Sequence, residues 1–183
     1  FGGMKLLNDT IEKNFLLHID GNIEVDFDGF TQGIDTIGGI EITLTEKEAS
    51  HLRSRGFSNA AAGRVLMDGK MASEYARIRK IDSDFGRTER QRNVILAAVQ
   101  KVKGSSIPQI IALANKVLPF VTTDMTNDQI LNLALTAAKA DLNNIEQHRI
   151  PVDGSYRNAR IRGMSVLVPD LIVNRQELNR IIF

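Results

Sequence analysis

The 183-residue chain carries a net charge of +1 with 43% hydrophobic and 25% charged residues, which fits one ordinary globular domain and argues against a disordered tract or a nucleic-acid-coating surface. It contains no cysteine, which excludes disulfides, thiolate zinc sites and a cysteine nucleophile. No run approaches the roughly eighteen consecutive apolar residues of a membrane span, and no stretch of these residues reads as a signal peptide.

The chain opens on Phe1-Gly2-Gly3 without an initiator methionine, so the expectation is a piece of a longer polypeptide. Met4 to Phe15 reads as an amphipathic helix, with Leu6, Leu7, Ile11 and Phe15 on one side. Ile23 to Phe27 alternates as a strand, its Ile23, Val25 and Phe27 sharing a face. A short helix is expected from Asp28 to Ile37, stopped by Gly38-Gly39, and then a strand from Ile40 to Leu44. Asp26, Asp28 and Asp35 suit either a metal site or turn and capping duty, and the latter is favoured. His18, His51 and His148 are isolated from one another and read as structural or exposed. Thr45 to Ala62 is polar and irregular, and most of it reads as loop, although Thr45-Glu-Lys-Glu suits a helical turn.

Val65-Leu-Met67 leads into Asp68, which is placed to cap a short helix from Lys70 to Ala76. Tyr75 to Lys80 then reads as extended, with Arg77 and Arg79 on one face and Ile78 on the other. A long helix is predicted from about Asp84 to Lys103, with Val94, Ile95, Ala98, Val99 and Val102 as its apolar stripe. Gly104-Ser-Ser breaks it, Pro108 opens a helix to Leu118, and Pro119 ends that one. A further helix is expected from Asp128 to Ala140, apolar at Ile130, Leu131, Leu133, Leu135 and Ala138. In the tail, Glu146 to Pro151 and Ala159 to Val168 read as two extended segments around a Val152-to-Tyr156 turn, and a last helix as Leu171 to Ile182. Arg160 and Arg162 alternate with Ile161 and read as hairpin surface charge. Strands and helices are interspersed throughout, so the expected class is α/β, a central mixed β-sheet between helices.

One stretch stands out chemically. Tyr75 to Gln91 packs Arg77, Arg79, Lys80, Arg87 and Arg90 against Asp82, Asp84 and Glu89. Arg87, Arg90 and Gln91 fall on the first two turns of the long helix, Arg87 and Gln91 sharing a face at i,i+4. Arginines at a helix N-terminus oppose the dipole, at about 0.3–1 kcal/mol each where exposed. A bound phosphate-like anion offsets that cost, since helix N–H groups and arginine forks both suit its oxygens. The plainer alternative is a solvated helix start in which Asp82 and Asp84 cap the helix and pair with the arginines.

Leu66-Met-Asp-Gly-Lys-Met-Ala72, Tyr75-Ala-Arg-Ile-Arg-Lys80 and Asp84-Phe-Gly-Arg-Thr-Glu-Arg-Gln91 together resemble the signature of the LytR–CpsA–Psr family. Phe27-Asp-Gly-Phe30, Asp35-Thr-Ile-Gly-Gly-Ile40, Ile150-Pro151, Asp153-Gly154, Gly163 and Ser165 to Asp170 support it in the same order. The resemblance implies an extracytoplasmic, membrane-anchored bacterial phosphotransferase at the cell surface. Such enzymes move anionic glycopolymers, such as wall teichoic acid or capsule, from a polyprenyl-pyrophosphate carrier to a muramic acid hydroxyl of peptidoglycan. It also implies a mixed sheet between helices and a deep apolar tunnel for the prenyl chain. The family's pyrophosphate-binding residues map onto Arg77, Arg79, Arg87 and Gln91, with Arg90 a further substrate-binding candidate. Its metal-binding aspartates, and with them the Mg²⁺ or Mn²⁺ ligands, would precede Gly2-Gly3, as would the first strands and the membrane anchor. Residues 1–183 are therefore expected to form one catalytic domain lacking those parts and holding no metal ligands, a poor transferase by itself.

Three alternatives stay open at this level. One is a non-catalytic module that holds polyprenyl-linked or anionic polymers. Another is a polyprenyl-pyrophosphate phosphatase, with water replacing the sugar hydroxyl. Nucleic-acid binding is disfavoured, because only Tyr75 and Phe85 offer stacking near the arginines.

Overall fold

The computed structural model describes residues 2–103, 105–139 and 145–183, except the side chains of Ala138 and Lys139. The expected break at Gly104 and the expected helix end at Ala140 lie outside the described residues, as does the Ala138 side chain. Two compact units emerge, one formed by the described residues up to Asn22 and from Ile145 onward, the other by those from Ile23 to Lys139.

The larger unit is built on a short ladder. β2 (Ile40–Leu44) buries Ile40, Ile42 and Leu44 and exposes Glu41 and Thr43, as its alternation predicts. It pairs antiparallel with β3 (Gly63–Met67), Ile42 opposite Val65. Between them lies α3 (Glu46–Ser54), where the sequence reads as loop. Only Ala49 and Leu52 mark its apolar face. Its start is set instead by a capping box: Glu48 N–H donates to the Thr45 side chain, and the Glu48 carboxylate accepts from Thr45 N–H at 2.9 Å.

α2 (Phe27–Thr36) crosses α4 (Gly69–Ala76) at very close range. A β-carbon at position 69 would collide with the Thr31 backbone, so glycine sets that distance. Both helices are capped by aspartate: Asp26 accepts from Gly29 N–H at 2.7 Å, and Asp68 from Met71 N–H at 2.8 Å. Asp35 accepts from Gly69 N–H at 2.7 Å and ties the two helices together. Asp26 and Asp35 therefore act as cap and tie, as favoured above, and Asp28 lies in the first turn of α2. Tyr75, Ile78, Leu52, Met67 and Ile40 are among the side chains fully buried in this core, each contributing about 1.5–3 kcal/mol of burial energy.

α5 (Asp84–Val102) lies against β2 and α4. β1 (Ile23–Val25) stops before Phe27, which opens α2 rather than continuing the strand, because the Asp26 cap turns the chain there. Its partner is β4 (Val121–Thr123), a strand not anticipated between α6 (Ile107–Val117) and α7 (Asn127–Lys139). Three residues following Pro119 carry too short an alternation to read.

In the smaller unit, α1 (Gly3–Phe15) packs on α8 (Leu171–Ile182), and Arg175 Nε donates to the Asn14 carbonyl at 2.6 Å. The hairpin is β5 (Tyr156–Ile161) with β6 (Met164–Pro169). Its turn is Arg162-Gly163, both at positive φ (51° and 80°), and not Val152 to Tyr156 as expected. Asn174, fully buried, accepts from Val152 N–H at 3.0 Å and donates to Ser155 Oγ at 2.8 Å, which pins that segment to α8. The α/β class holds, and among the described residues the strands form three antiparallel two-stranded ladders.

Candidate phosphate site

Arg77, Arg79, Arg87 and Gln91 line a single open cleft of about 510 Å³ together with Phe27. Three elements supply them. Arg77 follows the last turn of α4, Arg79 lies in the irregular stretch after it, and Arg87 and Gln91 stand a turn apart on α5. The expected extended piece does not begin at Tyr75: Tyr75 and Ala76 complete α4, and Arg77 still has helical backbone angles. The separation of faces expected there is nonetheless real: Ile78 is buried, while Arg77 and Arg79 are exposed.

Phe27 is the residue that strand alternation hid. It sits at the start of α2, 60% exposed, with the Arg77 guanidinium 4.4 Å from its ring centroid. That cation–π contact orients Arg77 without neutralising it. Arg87 is held differently. Its guanidinium pairs with Asp84 at 3.0 Å, and that carboxylate is itself largely exposed. Arg79 stands 4.0 Å from the same carboxylate. Two guanidinium groups, those of Arg87 and Arg79, thus share one exposed carboxylate, which an incoming phosphate is able to displace. Capping belongs to neither Asp82 nor Asp84: the Ser83 hydroxyl accepts from Gly86 N–H and caps α5.

Arg90 does not enter the cleft and is a correction to the substrate-binding expectation. It is 3% exposed, and its two terminal nitrogens donate to Asp82 at 2.7 and 2.8 Å and to the Ile78 carbonyl at 2.8 Å. The hydrogen bond from Arg90 holds the Asp82 carboxyl below its ordinary value of 3.8, with the Arg90 and Lys47 charges adding to the effect against the cost of burial. Glu48 also faces this guanidinium at 3.5 Å. Because the folded value is depressed, the stabilisation is complete above pH 3.8 and disappears as pH falls through the folded value. Asp82→Asn is therefore expected to be less stable than wild type at neutral pH. The gap should close progressively below pH 3.8 in chemical denaturation, whereas a gap independent of pH would show that the Asp82 charge contributes nothing.

Tyr75 is buried at 1% exposure, and burial pushes its phenol above the ordinary 10.0 against a hydrogen bond with Asn93 on α5. It cannot stack on a base. Among the described residues no group of three or more His, Asp or Glu side chains comes together to hold a cation. Asp84, the carboxylate at the cleft, is already occupied by Arg87. The described residues do not fit a divalent-metal site.

Next to the cleft lies an apolar groove of about 450 Å³, walled by β1, α2, α5, Val117 and Val121 with hydrophobic side chains and glycines alone. The predicted stripe of α5 lines this groove: Val94 and Ala98 also pack against the core, whereas Ile95 is 62% exposed. Arg87, Gln91, Ile95 and Val99 succeed one another at i,i+4, so one face of α5 passes from cationic cleft to apolar groove. Phe120, Leu131, Leu135 and Val168, equally open at the sequence level to core or lipid roles, do not line it.

A family model described as the LytR_cpsA_psr family matches residues 1–178. A polyisoprenyl-teichoic acid–peptidoglycan teichoic acid transferase TagU from Oceanobacillus iheyensis is 36% identical over 183 aligned residues, covering 98% of this chain and 53% of the relative. Among solved structures, TagT bound to LIIa-WTA superposes with a TM-score of 0.79 at 20% identity, covering 98% of this chain and 68% of that one. Bacillus subtilis TagV gives 0.76 at 25% identity, over 98% and 70% of the two chains. The chain spans about half the length of the curated relatives it matches.

Proposed function

Because the chain belongs to the LytR–CpsA–Psr family, we propose that it contributes the carrier-binding face of a phosphotransferase at the cell surface. That enzyme would attach an anionic glycopolymer of the teichoic acid or capsule kind to peptidoglycan from a polyprenyl-pyrophosphate carrier. The observation that carries this reading is the single face of α5 running from Arg87 and Gln91 to Ile95 and Val99. A pyrophosphate head joined to a long hydrocarbon needs a cationic cleft that opens into an apolar groove. The groove's stretch of α5, from Val94 to Val102, is about 12 Å long at 1.5 Å per residue. The curated relatives' name, a polyisoprenyl-teichoic acid–peptidoglycan teichoic acid transferase, supports the same substrate class.

In the transfer, a sugar hydroxyl of the acceptor attacks the phosphorus attached to the glycopolymer. A new O–P bond forms and the bond from that phosphorus to the bridging oxygen breaks. Polyprenyl phosphate leaves with the electron pair, the hydroxyl proton is released, and the product is a phosphodiester. Negative charge grows on the leaving phosphate, where preorganised guanidinium groups stabilise it most. Arg87 meets that charge from α5, Arg77 from its place on Phe27, and Arg79 from the segment between them. Gln91 offers an amide to orient an oxygen at the start of the groove. Mg²⁺ or Mn²⁺ stays part of the proposal on the family resemblance alone, its ligands drawn from outside the described residues. The outer face of the cytoplasmic membrane is the proposed location; among the described residues no helix is long and apolar enough to cross a membrane.

Thermal unfolding with a polyprenyl pyrophosphate tests this, with and without Mg²⁺. At a hundredfold excess over Kd, binding adds about 2.7 kcal/mol of stability, a rise in Tm of roughly 5–10 °C for a chain of this size. No shift in either condition would remove the carrier assignment.

A further inference from the structure

We propose that Arg90 and Asp82 are positioning residues of the cleft: they clamp the segment carrying Arg79 onto the helix carrying Arg87 and Gln91. The spacing of the phosphate-binding groups is then set by an ion pair between the buried Arg90 and the exposed Asp82 that never touches the phosphate. The proposal rests on the reading of the cleft as a pyrophosphate site and names what holds that site in shape.

The segment from Arg77 to Ser83 belongs to no helix or strand, so no ladder of backbone hydrogen bonds sets its path. It is nonetheless held at both ends by one side chain. Arg90 Nη2 donates to the Ile78 carbonyl at 2.8 Å and to Asp82 Oδ1 at 2.8 Å, while Nη1 donates to Asp82 Oδ2 at 2.7 Å. Arg79 and Lys80 lie between those two anchor points and are both exposed. A planar fork with fixed donors suits this task, because a lysine ammonium does not offer the same bidentate geometry.

Two further features point the same way. Gly86 lies on the first turn of α5, and a β-carbon there would collide with the Asp82 carboxylate. Glycine at that position lets the carboxylate tuck against the helix. On the other side, Glu48 faces Arg90 through Oε1 at 3.5 Å while its Oε2 accepts from Thr45 in the capping box of α3. The clamp is thereby joined to α3 as well as to the cleft. Arg90 shares the inward side of α5 with the buried Val94 and Ala97, opposite in purpose to the Arg87–Gln91 face.

Without the clamp, Arg79 rides on a segment anchored chiefly by the Ile78 and Ile81 side chains. The cost of ordering it then falls on ligand binding instead of folding.

The test compares Asp82→Asn, Gly86→Ala and Arg90→Lys with wild type for affinity toward geranylgeranyl pyrophosphate, below the melting temperature of each variant. Each is expected to bind on the order of 10- to 100-fold more weakly, the penalty of slight misplacement of binding groups. Ile40→Ala, in the core and away from the cleft, controls for stability alone. It should lower Tm with its affinity unchanged. Amide hydrogen exchange in residues 79–83 should quicken in the three clamp variants and not in the control. If the variants bind as wild type does, or lose affinity only as far as the control does, the clamp proposal is overturned while the cleft reading stands. A wild-type protein that does not bind the probe overturns both.

Discussion

Replacing Arg79 and Arg87 together by alanine is expected to weaken binding of geranylgeranyl pyrophosphate by about 10²- to 10⁴-fold, while the fold survives. The magnitude follows from two lost charge-assisted contacts, each worth roughly 1.5–3 kcal/mol to a charged partner. The fold should tolerate the change, because the partner of Arg87 is the exposed Asp84 and the Arg79 side chain is itself mostly exposed. Pairs with an exposed partner contribute about 0–1 kcal/mol to stability, and Arg87, whose side chain is only 18% exposed, adds the loss of its packing. Isothermal titration on the double variant and on each single variant measures the effect, and an unchanged affinity would end the phosphate reading of the cleft. Arg77→Ala belongs in the same series. Its cation–π seat on Phe27 predicts that Phe27→Leu reproduces part of the Arg77 loss, by freeing a guanidinium that is otherwise oriented.

Arg77, Arg79, Arg87 and Gln91 were legible in the sequence for a physical reason. Arg87 and Gln91 stand at i,i+4 on a helix whose start and stripe are plain, and Arg77 and Arg79 flank an apolar Ile78 that has to go inward. Arg90 was not separable from them by spacing. One position before Gln91, it lies 100° round the helix and points to the core, where Asp82 and Glu48 receive it. Charge alone does not say whether an arginine serves a ligand or a carboxylate of its own chain. Phe27 was missed because Ile23, Val25 and Phe27 alternate as a strand would, whereas the Asp26 cap starts a helix between the last two.

The fold divides along similar lines. β2 and α8 have clean periodicity and end where the residues suggest. α3 is short and mostly polar, and its one firm signal is the Thr45-to-Glu48 capping box rather than any stripe. The hairpin turn is expected over Val152 to Tyr156, which holds favourable turn residues, yet the strands reverse at Arg162-Gly163, where an arginine adopts φ 51°. A turn dipeptide marks where a chain bends easily, and strand pairing decides which bend becomes the hairpin.

The groove was the least legible feature, since a stripe identifies a face of α5 and not what covers it. Gly33 gives direct access to that question. It lies within α2 on the groove wall, and a β-carbon there would meet only Val117 Cγ1, at 4.0 Å. Gly33→Leu thus projects a side chain toward the groove with no clash at its β-carbon. Replacing glycine inside a helix also gains up to about 1 kcal/mol in propensity. The variant is expected to be at least as stable as wild type, and to bind short-chain isopentenyl pyrophosphate as wild type does. Its affinity for the twenty-carbon geranylgeranyl pyrophosphate should fall by about 10- to 100-fold, the equivalent of excluding two or three methylenes at about 0.8 kcal/mol each. Loss of affinity for both ligands would mean that the substitution disturbs the cleft. Equal affinity of wild type and variant for the long-chain ligand would mean that the hydrocarbon does not lie in the groove, so that the apolar face of α5 is covered by something other than the carrier.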